Sequence, residues 1–524
     1  MIFDFFRAKK KVPTPWRKYY TDEEMNYEIP NISIYEQVRL SAQKYPNNKA
    51  IEYLGREITY KQLIKLIDKT SISFKELGIN KGDIVTICLP NVPEALIALY
   101  GLNKVGAIAN MLHPLSAEEE IKQSLTSTRS KYLVFLDEFY DKIENTIGQT
   151  KVKKVAFVCP ADSLNCIKRL AYKISQMGKH KKYPHNDMFM SWKKFMRIGK
   201  FKKEIEFPKY GNNTPAVILH SGGTSGTPKN VVIQNRTFIM SAAQEKIHMK
   251  RLNAGDCCLA IMPNFHGFGL SVLMHTPLAL GCYSILVPQF DAKKFDILFD
   301  KTKPVCVLGV PTLYEALLKN KNLDGYDLSF LKCVISGGDS LSVSLKKKID
   351  KFLHEHGADI QVREGYGLTE CVTGSCLTPM KYYREGSIGI PYPDTYYKIV
   401  KPETTDEVPY GDEGEIVISG PSVMKGYLND EKENKLTIKK HSDGLIWMHT
   451  GDLGYMDSDG FIYFKQRLKR VIISSGYCIY PQYIENIIDS HPDVLMSCVI
   501  GIDHPYKVQV AKAFIVLKNG ITTN

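Results

Sequence analysis

The sequence has little of what marks a membrane-spanning, secreted or metal-clustered chain. No apolar run approaches the roughly 18 residues that a membrane helix needs. The N-terminal Met1–Phe6 stretch is too short for a secretory signal, and its charges, Arg7 to Lys11, follow the apolar residues instead of preceding them. The 12 cysteines form no CxxC pair, and only Cys257 and Cys258 are neighbours, which argues against a zinc site. A disulfide framework is not expected in so long a chain without such a signal. These absences point to a reducing, cytoplasmic setting. Short-period repeats are also missing. What remains is ordinary for globular protein: 524 residues, 44% hydrophobic and 24% charged, enough for several packed layers and more than one domain.

The charge is unevenly spread. The formal net charge is +13. Residues 165–203 hold 12 Lys or Arg and one acid, Asp187, so this window carries +11 of that excess. Met177, Phe189, Met190, Trp192, Phe195 and Met196 are interleaved with the charges. Such a segment can lie on an anionic membrane surface, or it can be a solvated basic loop. Nucleic acid is not expected as a partner, because no known binding module is visible.

Short apolar runs alternate with longer amphipathic ones. Residues 84–89 predict a buried strand, Pro93 to Val105 a helix, and 107–109 the next strand. The pattern recurs at 132–136, 155–158, 216–219, 257–262, 285–287, 305–310 and 333–335. This alternation predicts a layered α/β fold with largely parallel sheets. From about residue 395 the texture becomes β-rich, with strands expected at 414–418 and 460–464. A further α/β segment begins after Arg467-Leu468-Lys469-Arg470. The expected division is a large domain over 1–466, with its β-rich part at 395–466, and a small, incomplete domain over 467–524.

The densest motif is His220-Ser221-Gly222-Gly223-Thr224-Ser225-Gly226-Thr227-Pro228-Lys229, after the strand at 216–219. Its three glycines admit positive φ and close approach of a ligand to the backbone. Its hydroxyls and exposed amides can cradle phosphate oxygens, and Lys229 adds a cation. It is not a Walker A loop, which needs four residues between its glycines and then Gly-Lys-Ser/Thr. Further on stand Pro263-Asn264-Phe265-His266-Gly267-Phe268-Gly269-Leu270, Ser336-Gly337-Gly338-Asp339-Ser340-Leu341, Glu364-Gly365-Tyr366-Gly367-Leu368-Thr369-Glu370 and Thr450-Gly451-Asp452, with Arg467 fifteen residues beyond. Ligands of α/β sheets bind beyond the carboxyl ends of strands, where the second of these falls.

In this order the motifs resemble those of the acyl-CoA synthetase branch of the adenylate-forming superfamily, which also holds luciferases and the adenylation domains of peptide synthetases. The resemblance covers roughly residues 30 to 520. Departures are Gly222 and Asn230 in the phosphate loop, where serine and glycine are usual, and Glu364, where glutamine is common. The resemblance implies a role for each motif. Ser221, Gly222, Gly223, Thr224, Ser225, Gly226 and Lys229 would hold the phosphates of ATP. His266 would stand between the acyl pocket and the forming adenylate. Gly338, Asp339, Ser340, Glu364, Gly365, Tyr366 and Gly367 would pack around adenine, with Tyr366 stacked on it. Thr369 would bond the α-phosphate and Glu370 would hold Mg²⁺, a hard cation suited to an oxygen ligand. Asp452 would accept the ribose hydroxyls, supported by Arg467. Lys469 would be the hinge of the small domain, and Gly476 would face coenzyme A.

One departure concerns the end of the chain. The family's last lysine, which reaches the α-phosphate and carboxylate, lies several tens of residues past this point in the family pattern. Lys518 does not match it. We expect a truncated version of a longer protein. If the sequence were complete, adenylation would be slow, while a ready-made adenylate could still be attacked by a thiol. The implied activity is ATP-dependent formation of an acyl-adenylate, then transfer to coenzyme A. Amino-acid-activating relatives carry an aspartate near this histidine motif to pair a substrate amine; residues 267–274 here hold no acid, so the resemblance favours an uncharged tail, and a medium- or long-chain fatty acid is the expected substrate. The alternatives are an acyl-AMP ligase that loads a carrier protein and a nucleotide-binding pseudoenzyme.

Overall fold

The computed structural model describes residues 12–184, 186–200, 205–222, 228–470, 472–474, 477–479, 481–489, 491–518 and 520–521. Four sheets organise them. An eight-stranded sheet runs Gly426–Tyr427, Lys229–Gln234, Pro215–Ser221, Ile108–Met111, Ile84–Cys88, Tyr132–Leu136, Lys154–Val158, Phe189–Ser191. From Pro215–Ser221 onward its neighbours are parallel, while its first three strands pair antiparallel. A nine-stranded sheet has a parallel centre from Val362–Gly367 through Cys333–Gly337, Cys306–Gly309, Cys257–Ala260 and Tyr283–Leu286 to Lys49–Tyr53. Antiparallel strands close both of its edges. The fold is therefore the layered α/β arrangement that the alternation predicts, with the expected strands in place within a few residues.

Helices fill the space between these sheets. Pro93–Val105 is buried on every side except Lys104, so its sequence is apolar all round instead of striped. Proline at its first turn supplies a preset φ, and Gly106 closes it at φ 82°. The main core joins this helix to Ile34–Lys44, Tyr60–Glu76 and Asn235–His248 and to strands of both sheets.

The β-rich part forms a five-stranded antiparallel sheet from Tyr396–Val400 to Ile462–Arg467. After the turn Leu468–Arg470, a four-stranded sheet and the helix Pro481–Asp489 make a smaller α/β unit. Arg470 reaches Glu485 of that helix at 2.5 Å.

The basic window splits in two. Phe189, Met190, Trp192, Phe195 and Met196 are buried, because the helix Trp192–Ile198 packs against Tyr60–Glu76. Of the apolar residues singled out there, only Met177 is strongly exposed. The other exposed apolar side chains, Ile167, Leu170 and Ile174, belong to the helix Cys166–Ser175.

Candidate active site

The strands Pro215–Ser221 and Lys229–Gln234, which flank the expected phosphate loop, pair antiparallel. Ser221, the last residue of one strand, pairs with Lys229, the first of the next. Gly223, Thr224, Ser225 and Gly226 lie outside the described residues, as does Gly476. Ser221, Gly222 and Lys229 line a cavity of about 590 Å³. Lys229 Nζ makes an ion pair with Glu433 and stands 4.9 Å from the ring centroid of Tyr427.

Three more of the motifs meet at the same cavity. Val362–Gly367 carries Gly365, Tyr366 and Gly367 to its wall, and the short turn after that strand carries Thr369 and Glu370. Tyr427 donates to Glu370 Oε1 at 3.0 Å. Magnesium often uses one or two carboxylates together with substrate phosphates. Glu370, with only Oε1 engaged by Tyr427, fits that pattern. Among the described residues no cluster of three or more His, Cys, Asp or Glu could hold an ion by itself.

Asp452 and Arg467 lie on an antiparallel pair of strands. Asp452, on Ile446–Met456, stands opposite Arg467 on Ile462–Arg467. Asp452 is 2% exposed, and Oδ2 accepts from the Tyr366 hydroxyl at 2.6 Å. Oδ1 lies 3.6 Å from Arg467 Nε and has no hydrogen-bond partner among the described residues. Burial pushes the carboxyl up to about 6, against the Tyr366 hydrogen bond and the Arg467 charge. The turn before it is fixed by Glu415, which accepts from the Gly451 amide at 3.0 Å and contacts His449 Nδ1 at 2.7 Å. Thr450, Gly451, Arg467 and Lys469 line the cavity, while Asp452 sits behind its wall.

His266 faces both the main cavity and a second one of about 530 Å³, which share Lys229, Tyr427 and Glu433. Its pKa is lowered, first by loss of solvent and then by nearby His113. A stretch of π-type helix, Phe268–His275, follows, a wide turn often found at functional sites. Gly267 is required by contact: a Cβ there would lie 1.4 Å from the carbonyl oxygen of Val372. Val372 itself has φ 58°, an uncommon conformation for a β-branched residue.

Some expected residues do not face the cavity. Gly338 lines it, but Asp339 and Ser340 are exposed, with Asp339 Oδ1 accepting from the Ser340 amide at 2.8 Å. Glu364 is buried and accepts from the Leu341 amide at 3.3 Å, so its side chain pins the neighbouring strand end. Other lining residues carried no sequence signal. Tyr427 arrives on a two-residue strand, and Glu433 and Glu245 sit on helices whose polar residues look like any others.

Part of the remaining wall is apolar: Met262, Phe268, Val272, Leu308, Ile335 and Leu377. One cavity thus joins Ser221, Gly222 and Lys229, the turn with Thr369 and Glu370, and a set of apolar side chains, with Asp452 behind its wall. Such a lining offers charged and hydrogen-bonding groups at one end and apolar surface at the other.

The chain belongs to the AMP-binding enzyme family, whose model matches residues 38–428, and the model of that family's C-terminal domain matches 483–524. It is 32% identical over 515 residues to a long-chain-fatty-acid–CoA ligase of Bacillus subtilis, covering 97% of this chain and 89% of that protein. It is 28% identical to 4-coumarate–CoA ligase 1 of Petroselinum crispum, covering 90% and 81%. The fold matches ATP-bound MatB from Rhodopseudomonas palustris with a TM-score of 0.80 at 23% identity, covering 94% and 90%.

Proposed function

We propose that this protein is an AMP-forming acid–thiol ligase, acting on a medium- or long-chain fatty acid and coenzyme A. The observation that carries this reading is the single cavity lined by both Lys229–Thr369–Glu370 and an apolar wall. A carboxylate oxygen attacks the α-phosphorus of ATP, the bond to the bridging oxygen breaks, and pyrophosphate leaves. Lys229, the loop amides and Thr369 hold the phosphates in line, which is most of what such a transfer requires. Mg²⁺ at Glu370 would neutralise phosphate charge. The thiol of coenzyme A then attacks the acyl carbon and AMP leaves as the C–O bond breaks. Lys469, in the turn between the two units, is the proposed pivot between the steps.

The fatty-acid assignment is supported by the apolar wall and by similarity to the Bacillus subtilis ligase. Membrane contact through residues 165–203 suits such a substrate. Ile167, Leu170 and Ile174 form one stripe on the helix Cys166–Ser175, 82%, 62% and 61% exposed, with Met177 beyond them at 77%. Apolar stripes flanked by lysines bind anionic bilayers. No helix of the described residues is long and apolar enough to cross one.

The test is AMP release across a series of straight-chain acids with ATP and coenzyme A. Activity confined to acetate or aryl acids overturns the fatty-acid reading. Transfer to a carrier protein without coenzyme A dependence would favour an acyl-AMP ligase. Binding of ATP without pyrophosphate–ATP exchange would mark a pseudoenzyme. For the membrane contact, Leu170→Asp should abolish sedimentation with phosphatidylglycerol vesicles; unchanged sedimentation refutes it.

A further inference from the structure

Within the apolar wall of the cavity lies one carboxyl that the adenylation chemistry does not use. Glu245, on the helix Asn235–His248, is 2% exposed and lines the cavity. Oε1 accepts from the Tyr392 hydroxyl at 2.9 Å, and Oε2 is buried with no hydrogen-bond partner among the described residues. Both groups lie against the strand Gly374–Leu377. A Cβ on Gly374 would stand 2.9 Å from the Tyr392 hydroxyl and 3.4 Å from Glu245 Oε1. At the other end of that strand Leu377 reaches the floor of the apolar wall, 3.1 Å from a Cβ placed on Gly365.

A buried carboxyl oxygen left without a partner costs on the order of 1–3 kcal/mol, so it persists where something else completes it. We propose that Glu245 and Tyr392 form a polar specificity site for the tail of the acid, and that the preferred acid carries a hydroxyl on that tail. The inference rests on the ligase reading above and narrows its substrate class.

The surroundings select a hydroxyl over a charged group. The Arg363 guanidinium already acts on Glu245 electrostatically, while its own donors are held by the carbonyl oxygens of Thr378 and His248 at 2.6 and 2.7 Å. A substrate ammonium would therefore be a second buried cation beside the first, and a substrate carboxylate would face Glu245 itself. Burial pushes the Glu245 carboxyl up to about 7, so acceptor and donor forms coexist near neutrality. A hydroxyl can donate to one and accept from the other. A plain methyl terminus satisfies neither.

The experiment measures kcat/KM by AMP release for matched pairs: straight-chain acids and their ω-hydroxy counterparts, and cinnamate and 4-coumarate. The wild-type protein should favour the hydroxylated member of at least one pair by about ten- to hundredfold, the ratio expected for a hydrogen bond to a charged group. Glu245→Leu should collapse that ratio toward one by raising turnover of the plain acid. Glu245→Gln, which keeps the shape and one acceptor, should retain part of it. The proposal is overturned if the wild type prefers the plain acid in every pair, or if a folded Glu245→Leu variant keeps the wild-type ratio. If that variant does not fold, the wild-type ratios decide alone. Absence of AMP release with any acid would overturn both the ligase reading and this one, whereas release with plain acids preferred overturns only this one.

Discussion

Replacing Asp452 by Asn separates the cost of burying this carboxylate from its use. Its carboxyl ordinarily titrates at 3.8 and is pushed up to about 6 in the folded protein, mainly by burial. Two pKa units correspond to about 3 kcal/mol. Because the folded value is raised, the folded protein holds this proton more tightly than the unfolded chain. The group's contribution is full below about pH 4 and is lost as pH rises toward 6. The Asn side chain has no such loss. The stability of Asp452→Asn relative to wild type should therefore rise by roughly 1 kcal/mol between pH 5 and pH 7 and stay level above that. Any fixed gain or loss from exchanging an oxygen for an amide cancels in this pH difference. Urea unfolding of both proteins at pH 5, 6, 7 and 8 measures it. Calorimetry at pH 8 should show ATP binding lost in the variant that gained stability. A difference independent of pH, or one falling from pH 5 to 7, would refute the account of a carboxylate held charged at a cost for the nucleotide.

Lys229→Ala should raise the ATP dissociation constant by about ten- to hundredfold, as loss of a charge-assisted hydrogen bond implies, and Glu433→Gln should lower it by freeing Lys229; titration calorimetry reads both. Glu370→Ala should remove AMP formation unless Mg²⁺ is raised, and a normal Mg²⁺ dependence in this variant would contradict the metal assignment. Gly267→Ala should destabilise the protein by about 3 kcal/mol or more, because the new methyl overlaps the Val372 carbonyl; a melting curve like that of wild type would contradict the close packing.

The chemistry was more legible in the sequence than its placement. Ser221, Lys229, His266, Thr369 and Glu370 stood out because their functions demand particular residues at fixed local spacings, and the structure gathers them around one cavity. The strands also announced themselves, since a strand buried between helical layers is a continuous apolar run. Their order did not: Lys49–Tyr53 pairs with Tyr283–Leu286 over 200 residues away, and no local pattern records that. Glu433 and Tyr392 were invisible for the same reason, as each becomes a site residue only through a distant partner, Lys229 or Glu245. Glu364 illustrates the reverse. It sits inside a nucleotide motif, yet its carboxyl is used to tie Leu341.

The charged groups of the cavity share a property that bears on how it binds ATP. Lys229 is paired with Glu433, Glu370 accepts from Tyr427, Arg467 faces Asp452, and Glu415 holds both His449 and the Gly451 amide. On the proposed function, ATP would enter by exchanging partners, and the attraction between Lys229 and an arriving phosphate would be offset by the loss of its ion pair with Glu433. The net affinity is smaller than the new interactions alone would provide. The exchange also leaves Glu433, a carboxylate, beside the arriving phosphates, where like charges repel. A cation bound at Glu370 would relieve that repulsion, which gives Mg²⁺ a role in binding as well as in the reaction. The improvement in affinity from Glu433→Gln should accordingly be greatest at low Mg²⁺ and shrink as the ion is raised. An equal improvement at all Mg²⁺ concentrations would mean that Glu433 acts only by holding Lys229.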